Sequence, residues 1–336
     1  MDAGRWLLDV ERAFDAARRR RKSRRPPTNF RIEVYGGHGG AAGIVVRGRV
    51  LDNPPPRDAV EGEGVGSAVR RTLASFVTDE LPDVALRITV GDESVETVSD
   101  DEGYFRVVLA GGAPVGPWAE GTVELAAPYR GLTSERTPFR VLVPPPDAAF
   151  GVVSDVDDTI IETGVQRAGL MLRQTFTGSA LTRTPFPGAA ELYRDLAAGG
   201  NPFFYVSSSP WNLHAFLLAF LEHRGFPLGP LMLRDLLGTP KGRDRKHERI
   251  EEVLGLHPTL RFVLIGDSGE KDPQIYADIV RAHPGRILAV YIREVRLDPG
   301  DGRVEAVSGS WEQDVPFVLA ADSDAVRRHA ARLGLL

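Results

Sequence analysis

Val152-Val153-Ser154-Asp155-Val156-Asp157-Asp158-Thr159 decides how this chain is read. The apolar run 150–153 stops abruptly at a group of acids. The same event recurs twice. The run 202–206 stops at Ser207-Ser208-Ser209, and the run 260–265 stops at Gly266-Asp267-Ser268-Gly269-Glu270-Lys271-Asp272. With the further runs 286–292 and 316–320, apolar strand-like segments alternate with helical ones. Nearly continuous apolar strands separated by helices predict a parallel sheet covered on both faces. In such a sheet, ligands bind beyond the carboxyl ends of the strands. Polar groups scattered over more than a hundred residues are therefore expected to meet on one rim.

Such a rim suits phosphoryl chemistry. Carboxylates without histidine or cysteine are hard oxygen ligands, the set that Mg²⁺ prefers. Asp155 and Asp157 lie two apart, so in extended chain both lean to one side. A metal-bound, ionised Asp155 can attack phosphorus. Asp157, offset from the metal, can protonate the leaving alkoxide and then activate water. Lys246 opens a helical segment with Ile250, Val253 and Leu254 on its apolar face, and its ammonium can neutralise phosphoryl charge. Ser207 precedes Pro210, a residue favoured at the first helical position, so the hydroxyl and the amides of a helix start are expected to bind phosphate. Lys241 competes with Lys246, and Ser208 or Ser209 with Ser207. Asp158 reads as a solvated or capping acid. Arg293 reads as a surface salt-bridge residue or a substrate contact.

These motifs resemble those of the haloacid dehalogenase superfamily. Asp155-Val156-Asp157-Asp158-Thr159 is similar to its DxDxT motif, Ser207 to its second motif, Lys246 to its third, and Asp267 with Asp272 to its fourth. Within the superfamily, 154–164, Tyr205-Val206-Ser207-Ser208-Ser209-Pro210-Trp211-Asn212-Leu213 and 265–276 most resemble the catalytic domain of actin-patch-type phosphatidate phosphatases. The resemblance implies a Rossmann-like sheet and hydrolysis of a phosphomonoester through a phospho-aspartate on Asp155. It implies Asp157 and Lys246 as the other catalytic groups and Ser207, Ser208 and Lys246 as phosphate ligands. The carboxylates it puts forward for Mg²⁺ are Asp155, Asp157, Asp267 and Asp272. The implied substrate is a phospholipid, phosphatidate, giving diacylglycerol. The same chemistry on a phosphoprotein or soluble phosphomonoester is the alternative, and a non-catalytic membrane-binding module is a third reading. In this superfamily a cap inserts between the first two motifs; here the interval 160–200 is short, which predicts an open site.

The remainder of the 336 residues divides by composition into 1–28, 29–146 and 147–336. The first segment places Trp6, Leu7, Val10, Phe14 and Ala17 at helical spacing, followed by Arg18 to Arg21, Lys22, Arg24 and Arg25. Such a basic amphipathic helix either lies on an anionic membrane or is a solvated tail, and a lipid substrate favours the membrane. The second segment carries short β-rich runs at 30–35, 43–51, 84–90, 103–109, 121–126 and 137–143, separated by Gly, Pro and Asp clusters. These predict a β-sandwich-like domain, interrupted by a helix burying Val69, Leu73, Phe76 and Val77. The Pro144-Pro145-Pro146 linker leads into the third, haloacid dehalogenase-like segment. The apolar stretch 213–221 is expected to be a buried helix, with an acyl-chain groove as the competing reading. With no cysteine, the chain has no disulfide, zinc thiolate or cysteine nucleophile. A formal net charge of −5 argues against a nucleic-acid partner. HExxH, GxSxG and Walker A motifs are absent. The expected location is cytoplasmic, at most peripheral to a membrane. The sequence leaves the oligomeric state open.

Overall fold

The computed structural model describes residues 26–40, 42–54, 79–111, 116–161, 185–234, 246–295, 311 and 314–336. The segment 1–25, the helix expected around Val69 to Val77, Lys241 and most of the interval between the first two motifs lie outside them.

Seven strands come first: β1 (Phe30–Gly40), β2 (Gly43–Asp52), β3 (Ala85–Val90), β4 (Glu93–Val98), β5 (Tyr104–Leu109), β6 (Trp118–Leu125) and β7 (Arg136–Leu142). They form one sheet of order β4-β3-β6-β7-β1-β2-β5, antiparallel except where Gly37 and His38 of β1 run beside β7. A register shift between Val34 and Gly37 bends β1 from one set of strands to the other. The sheet closes around a single apolar core that includes Ile32, Val46, Val50, Leu86, Ile88, Phe105, Val123 and Phe139. The run 93–98 gave no strand signal because it alternates polar residues at an edge, where burial selects nothing.

The second sheet is all parallel: β8 (Gly151–Ser154), β9 (Phe203–Pro210), β10 (Leu231–Arg234), β11 (Phe262–Asp267), β12 (Ile287–Arg293) and β13 (Phe317–Ala320). The helices are α1 (Ala189–Leu196), α2 (His214–His223), α3 (Lys246–Leu256), α4 (Asp272–Ala282) and α5 (Ser323–Arg332). Helices α1, α2 and α5 bury Leu192, Leu217, Phe220 and Val326 on one face; α3 and α4 bury Ile250, Val253, Tyr276 and Ile279 on the other. Both faces are thus covered, which is why the strands read as unbroken apolar runs. Strand order is β10-β9-β8-β11-β12-β13. From the central β8 the chain steps outward through β9 and β10, then returns to the far side at β11. The carboxyl end of β8 is therefore a topological switch point, where the crossovers on either side diverge and leave a crevice.

One local expectation is corrected and one holds. Strand β9 does not end at Val206: it carries the three serines as far as Pro210, whose ψ of 153 is extended, and the helical turn begins only at Trp211. The serines thus project from a strand end and not from a helix start. The 213–221 stretch forms α2, which buries His214, Leu217, Phe220 and Leu221 and leaves Leu218 exposed.

Candidate active site

The first motif is a strand end followed by a tight turn. β8 delivers Asp155 from the middle of the sheet, with its amide bonded to Ile265 O of β11. Asp158 adopts a left-handed φ of 52, which turns the chain back. It is buried, not solvated as its sequence context suggested. Asp155 is itself fully buried. Its Oδ1 accepts a hydrogen bond from Lys246 Nζ at 2.8 Å and its Oδ2 accepts one from Thr159 Oγ1 at 3.1 Å. Lys246 is the first residue of α3 and is 5% exposed, so its ammonium is committed to this cluster. It also pairs with Asp272 at very short range and with Glu270 Oε2 at 3.4 Å.

Asp267 ends β11 and Asp272 begins α4. Their close approach depends on Gly266: a Cβ there would collide with the Asp272 carboxylate and the Tyr276 ring. Asp267 Oδ1 accepts the amides of Gly269 and Glu270 at 2.6 and 3.0 Å, so the loop wraps its own carboxylate. Asp272 Oδ2 accepts the Asp267 amide at 3.3 Å.

Asp155, Asp267 and Asp272 each present a carboxylate oxygen within 4.8 Å of the others, and all three are buried. Burial pushes all three carboxyls up, with Lys246 opposing in each case. Asp267 reaches about 8, through burial first and then the neighbouring Asp272 charge. Burial by itself would depress Lys246, but Asp155 and Asp272 outweigh it and hold the ammonium well above its ordinary range. One lysine thus faces four acids, Glu270 included. Asp267 Oδ2 is buried without a hydrogen-bond partner. An orphaned, buried carboxylate oxygen on one of three closely grouped carboxylates suits an all-oxygen site for a hard divalent cation. The residues therefore fit such an ion.

The four carboxylates put forward for metal divide in the structure. Asp157 turns away from the other three, and its Oδ2 accepts hydrogen bonds from Ser207 Oγ and Ser209 Oγ, both at 2.8 Å. Burial raises its carboxyl, the Glu270 charge adds to that, and the two serines oppose it. Ser207 and Ser209 share a side because strand residues alternate. Ser208 points the other way and donates to Glu270 Oε2 at 2.8 Å. Arg293 is half-buried. It lies over the Phe186 ring and donates to Thr159 O at 3.1 Å and Ser323 Oγ at 2.9 Å, tying the first motif's turn to α5.

Sequence reasoning assigned no role to Glu270 or Thr159, although both lie inside the quoted motifs. Glu270 reaches both Ser208 and Lys246, and Thr159 holds Asp155. Only their placement in a strand-end loop, four residues after Asp155 and three after Asp267, hinted at this.

Comparison with known proteins matches this region. Residues 150–294 fit the family model described as "Phosphatidate phosphatase APP1, catalytic domain". Phosphatidate phosphatase APP1 of Saccharomyces cerevisiae is 34% identical over 154 residues, covering 43% of this chain and 26% of that protein. An uncharacterized protein of Schizosaccharomyces pombe is 29% identical over 156 residues, covering 44% of this chain and 26% of its own. The chain thus matches about a quarter of the length of these relatives. Among solved structures, a haloacid dehalogenase family hydrolase of Deinococcus radiodurans, with bound phosphate and sodium, is 19% identical, covering 56% of this chain and 99% of that one at a TM-score of 0.35. Residues 150–294 form an α/β domain that is similar to the catalytic domain of APP1-type phosphatidate phosphatases.

Proposed function

We propose that this chain is a Mg²⁺-dependent phosphatase that works through a phospho-aspartate on Asp155, with phosphatidate as its substrate. The observation that carries the reading is the gathering of Asp155, Lys246, Asp267 and Asp272 at the switch point of the parallel sheet, with Asp267 Oδ2 left without a partner. Asp155, Asp267 and Asp272 would hold Mg²⁺, which when bound supplies positive charge against the phosphoryl oxygens.

In the first half-reaction an Asp155 carboxylate oxygen attacks phosphorus, and the bond to the leaving alkoxide breaks. Asp157 gives that alkoxide its proton, so the alcohol leaves neutral. In the second half, Asp157 takes a proton from water as the water oxygen attacks phosphorus. The aspartyl–phosphate bond then breaks, releasing phosphate and restoring the Asp155 carboxylate. Ser207 and Ser209 hold Asp157 through its Oδ2, while Lys246 is engaged by Asp155 and Asp272, so the acid/base and the charge-neutralising group have separate partners. Lys246 holds phosphoryl charge in a site dry enough for that charge to count. Ser208, which donates to Glu270, would bind a phosphoryl oxygen by exchanging that bond.

Two supports favour a lipid substrate. One is the likeness of 150–294 to an APP1-type catalytic domain. The other is the basic, aromatic-bearing segment 1–25, suited to an anionic surface. No helix among the described residues is long and apolar enough to cross a membrane.

The test is phosphate release with and without Mg²⁺ on phosphatidate in anionic vesicles, a phosphopeptide and a small soluble phosphomonoester, for wild type and Asp155→Asn. Release from phosphatidate should depend on Mg²⁺, exceed release from the soluble esters and fall with salt. Asp155→Asn should lose at least about a thousandfold in turnover with the fold intact. Faster turnover of the soluble esters would overturn the lipid assignment. Full activity of Asp155→Asn would overturn the phospho-aspartate.

A further inference from the structure

The chemistry above leaves the first seven strands without a task, yet they are packed against the strands and helix that carry it. Tyr35 of β1 stacks on Trp211 with ring centroids 4.4 Å apart, directly after the serine segment. His38 is buried against Phe204 and His257, at 5.6 and 6.1 Å. Leu142 of β7 belongs to the same apolar cluster as Phe204, Ile250 and Val253. Gly40 sits so close to the end of α3 that a Cβ would collide with Leu256 O and the His257 ring.

The decisive contact is made by Glu252, six residues after Lys246 on α3. Its Oε2 accepts hydrogen bonds from Arg47 Nη2 at 2.5 Å and Arg106 Nη2 at 2.7 Å. Its Oε1 lies 3.4 Å from His38 Nε2. Arg47 and Arg106 are direct cross-strand partners of β2 and β5. Like charges placed opposite each other destabilise a sheet unless something compensates them. The compensating anion comes from the other sheet's helix. All three side chains line a cleft of about 430 Å³ between the two sheets, together with Trp211 and Arg249. At this point ion pairs across a cleft join the sheets beside the Tyr35–Trp211 stack.

A helix transmits such a contact as a rigid rod, and six residues span only about 9 Å of its axis. One turn after Lys246, Arg249 Nη1 donates to Ser207 O at 3.5 Å, tying the same helix to the serine strand. We infer that Arg47, Arg106 and Glu252 form a clamp through which the N-terminal sheet sets the position of α3, and with it the reach of Lys246 toward Asp155 and Asp272. Glu252 is a positioning residue, and the seven-stranded sheet is a working part of the catalytic unit. The inference rests on the phosphatase reading, which gives Lys246 its task.

The test uses the full chain and Mg²⁺-dependent phosphate release from phosphatidate in anionic vesicles, well below the melting temperature. A displacement near 1 Å at a reacting group can cost about a hundredfold. Glu252→Gln should therefore lower kcat by about tenfold or more while KM stays within about twofold. The pair Arg47→Met and Arg106→Met should give a similar loss, and adding Glu252→Gln should cost little more, because one interaction has already been removed. Arg47→Lys alone should recover most of the turnover. If these variants keep wild-type kcat and merely melt earlier, the clamp is only structural and the inference is overturned. If Glu252→Gln does not fold, Arg106→Met decides by the same criterion, since that side chain is half exposed. A wild type without Mg²⁺-dependent release would overturn the phosphatase reading and the clamp together. An active wild type with indifferent variants overturns the clamp alone.

Discussion

Asp267→Asn separates the structural and chemical sides of the acid cluster. Asp267 is fully buried, and its carboxyl is held at about 8 against an ordinary 3.8. Between those values the folded state holds more protons than the unfolded state, so stability falls as pH rises from 3.8 toward 8. At pH 7 the unfolded carboxyl is ionised while the folded one keeps its proton. That gap opposes folding by on the order of 4 kcal/mol. Asparagine has nearly the same shape, carries no charge at any pH and can still accept the Gly269 and Glu270 amides. Without divalent cation, Asp267→Asn should therefore be more stable than wild type by a few kcal/mol, a rise in Tm of several degrees. With Mg²⁺ the order should narrow or reverse. An ion at a hundred times its Kd adds about 2.7 kcal/mol to a protein that binds it, and the variant has lost Asp267 Oδ2, a carboxylate oxygen of the cluster without a hydrogen-bond partner. Calorimetric melts at pH 7, with chelator and with a Mg²⁺ series, read both effects. A variant that melts lower than wild type in chelator, or one that keeps the full Mg²⁺-dependent rise, would refute the reasoning.

Two further outcomes follow from the geometry. Gly266→Ala should destabilise by about 1–3 kcal/mol and weaken Mg²⁺ binding, since the new methyl meets the Asp272 carboxylate and Tyr276; denaturant titration and calorimetry check the two parts. His214 is buried among Tyr35 and Trp211, and burial depresses its imidazole to about 4. A buried neutral histidine contributes full stability above pH 6.5 and loses it progressively as pH falls to about 4, because the unfolded imidazole takes up its proton first. The loss should reach on the order of 2 kcal/mol by pH 5, and Phe at 214 should flatten that part of the stability–pH curve; an unchanged curve would show that His214 is not its source.

Much of the α/β sheet was legible because each buried strand is a short apolar run that ends in a change of chemistry. The acid after Val153, the serines after Val206 and the Gly-Asp after Ile265 each mark a strand end, and parallel topology sends such ends to one rim. Lys246 was legible as a helix start because Ile250, Val253 and Leu254 repeat at helical spacing behind it. β4 and β10 were not, one because it is a mostly exposed edge, the other because four residues carry too little pattern. Asp158 and Arg293 were misread for a common reason. Charged residues are normally solvated, and only tertiary packing could bury one in a left-handed turn and lay the other across Phe186.

Residue type and spacing along the chain thus determined the chemistry on offer: carboxylates in DxDxT and GDxxxxD, serines at a strand end, a lysine at a helix start, no thiols. They could do so because strand and helix periods, and the preference of hard cations for oxygen, are local properties. Which carboxylates share a site was decided only by the fold. It sent Asp157 to the serines, left Asp267 Oδ2 without a partner, and set Glu252 between two arginines of another sheet. Those pairings join residues up to 205 positions apart, and no local pattern encodes a distance that exists only once both sheets have packed.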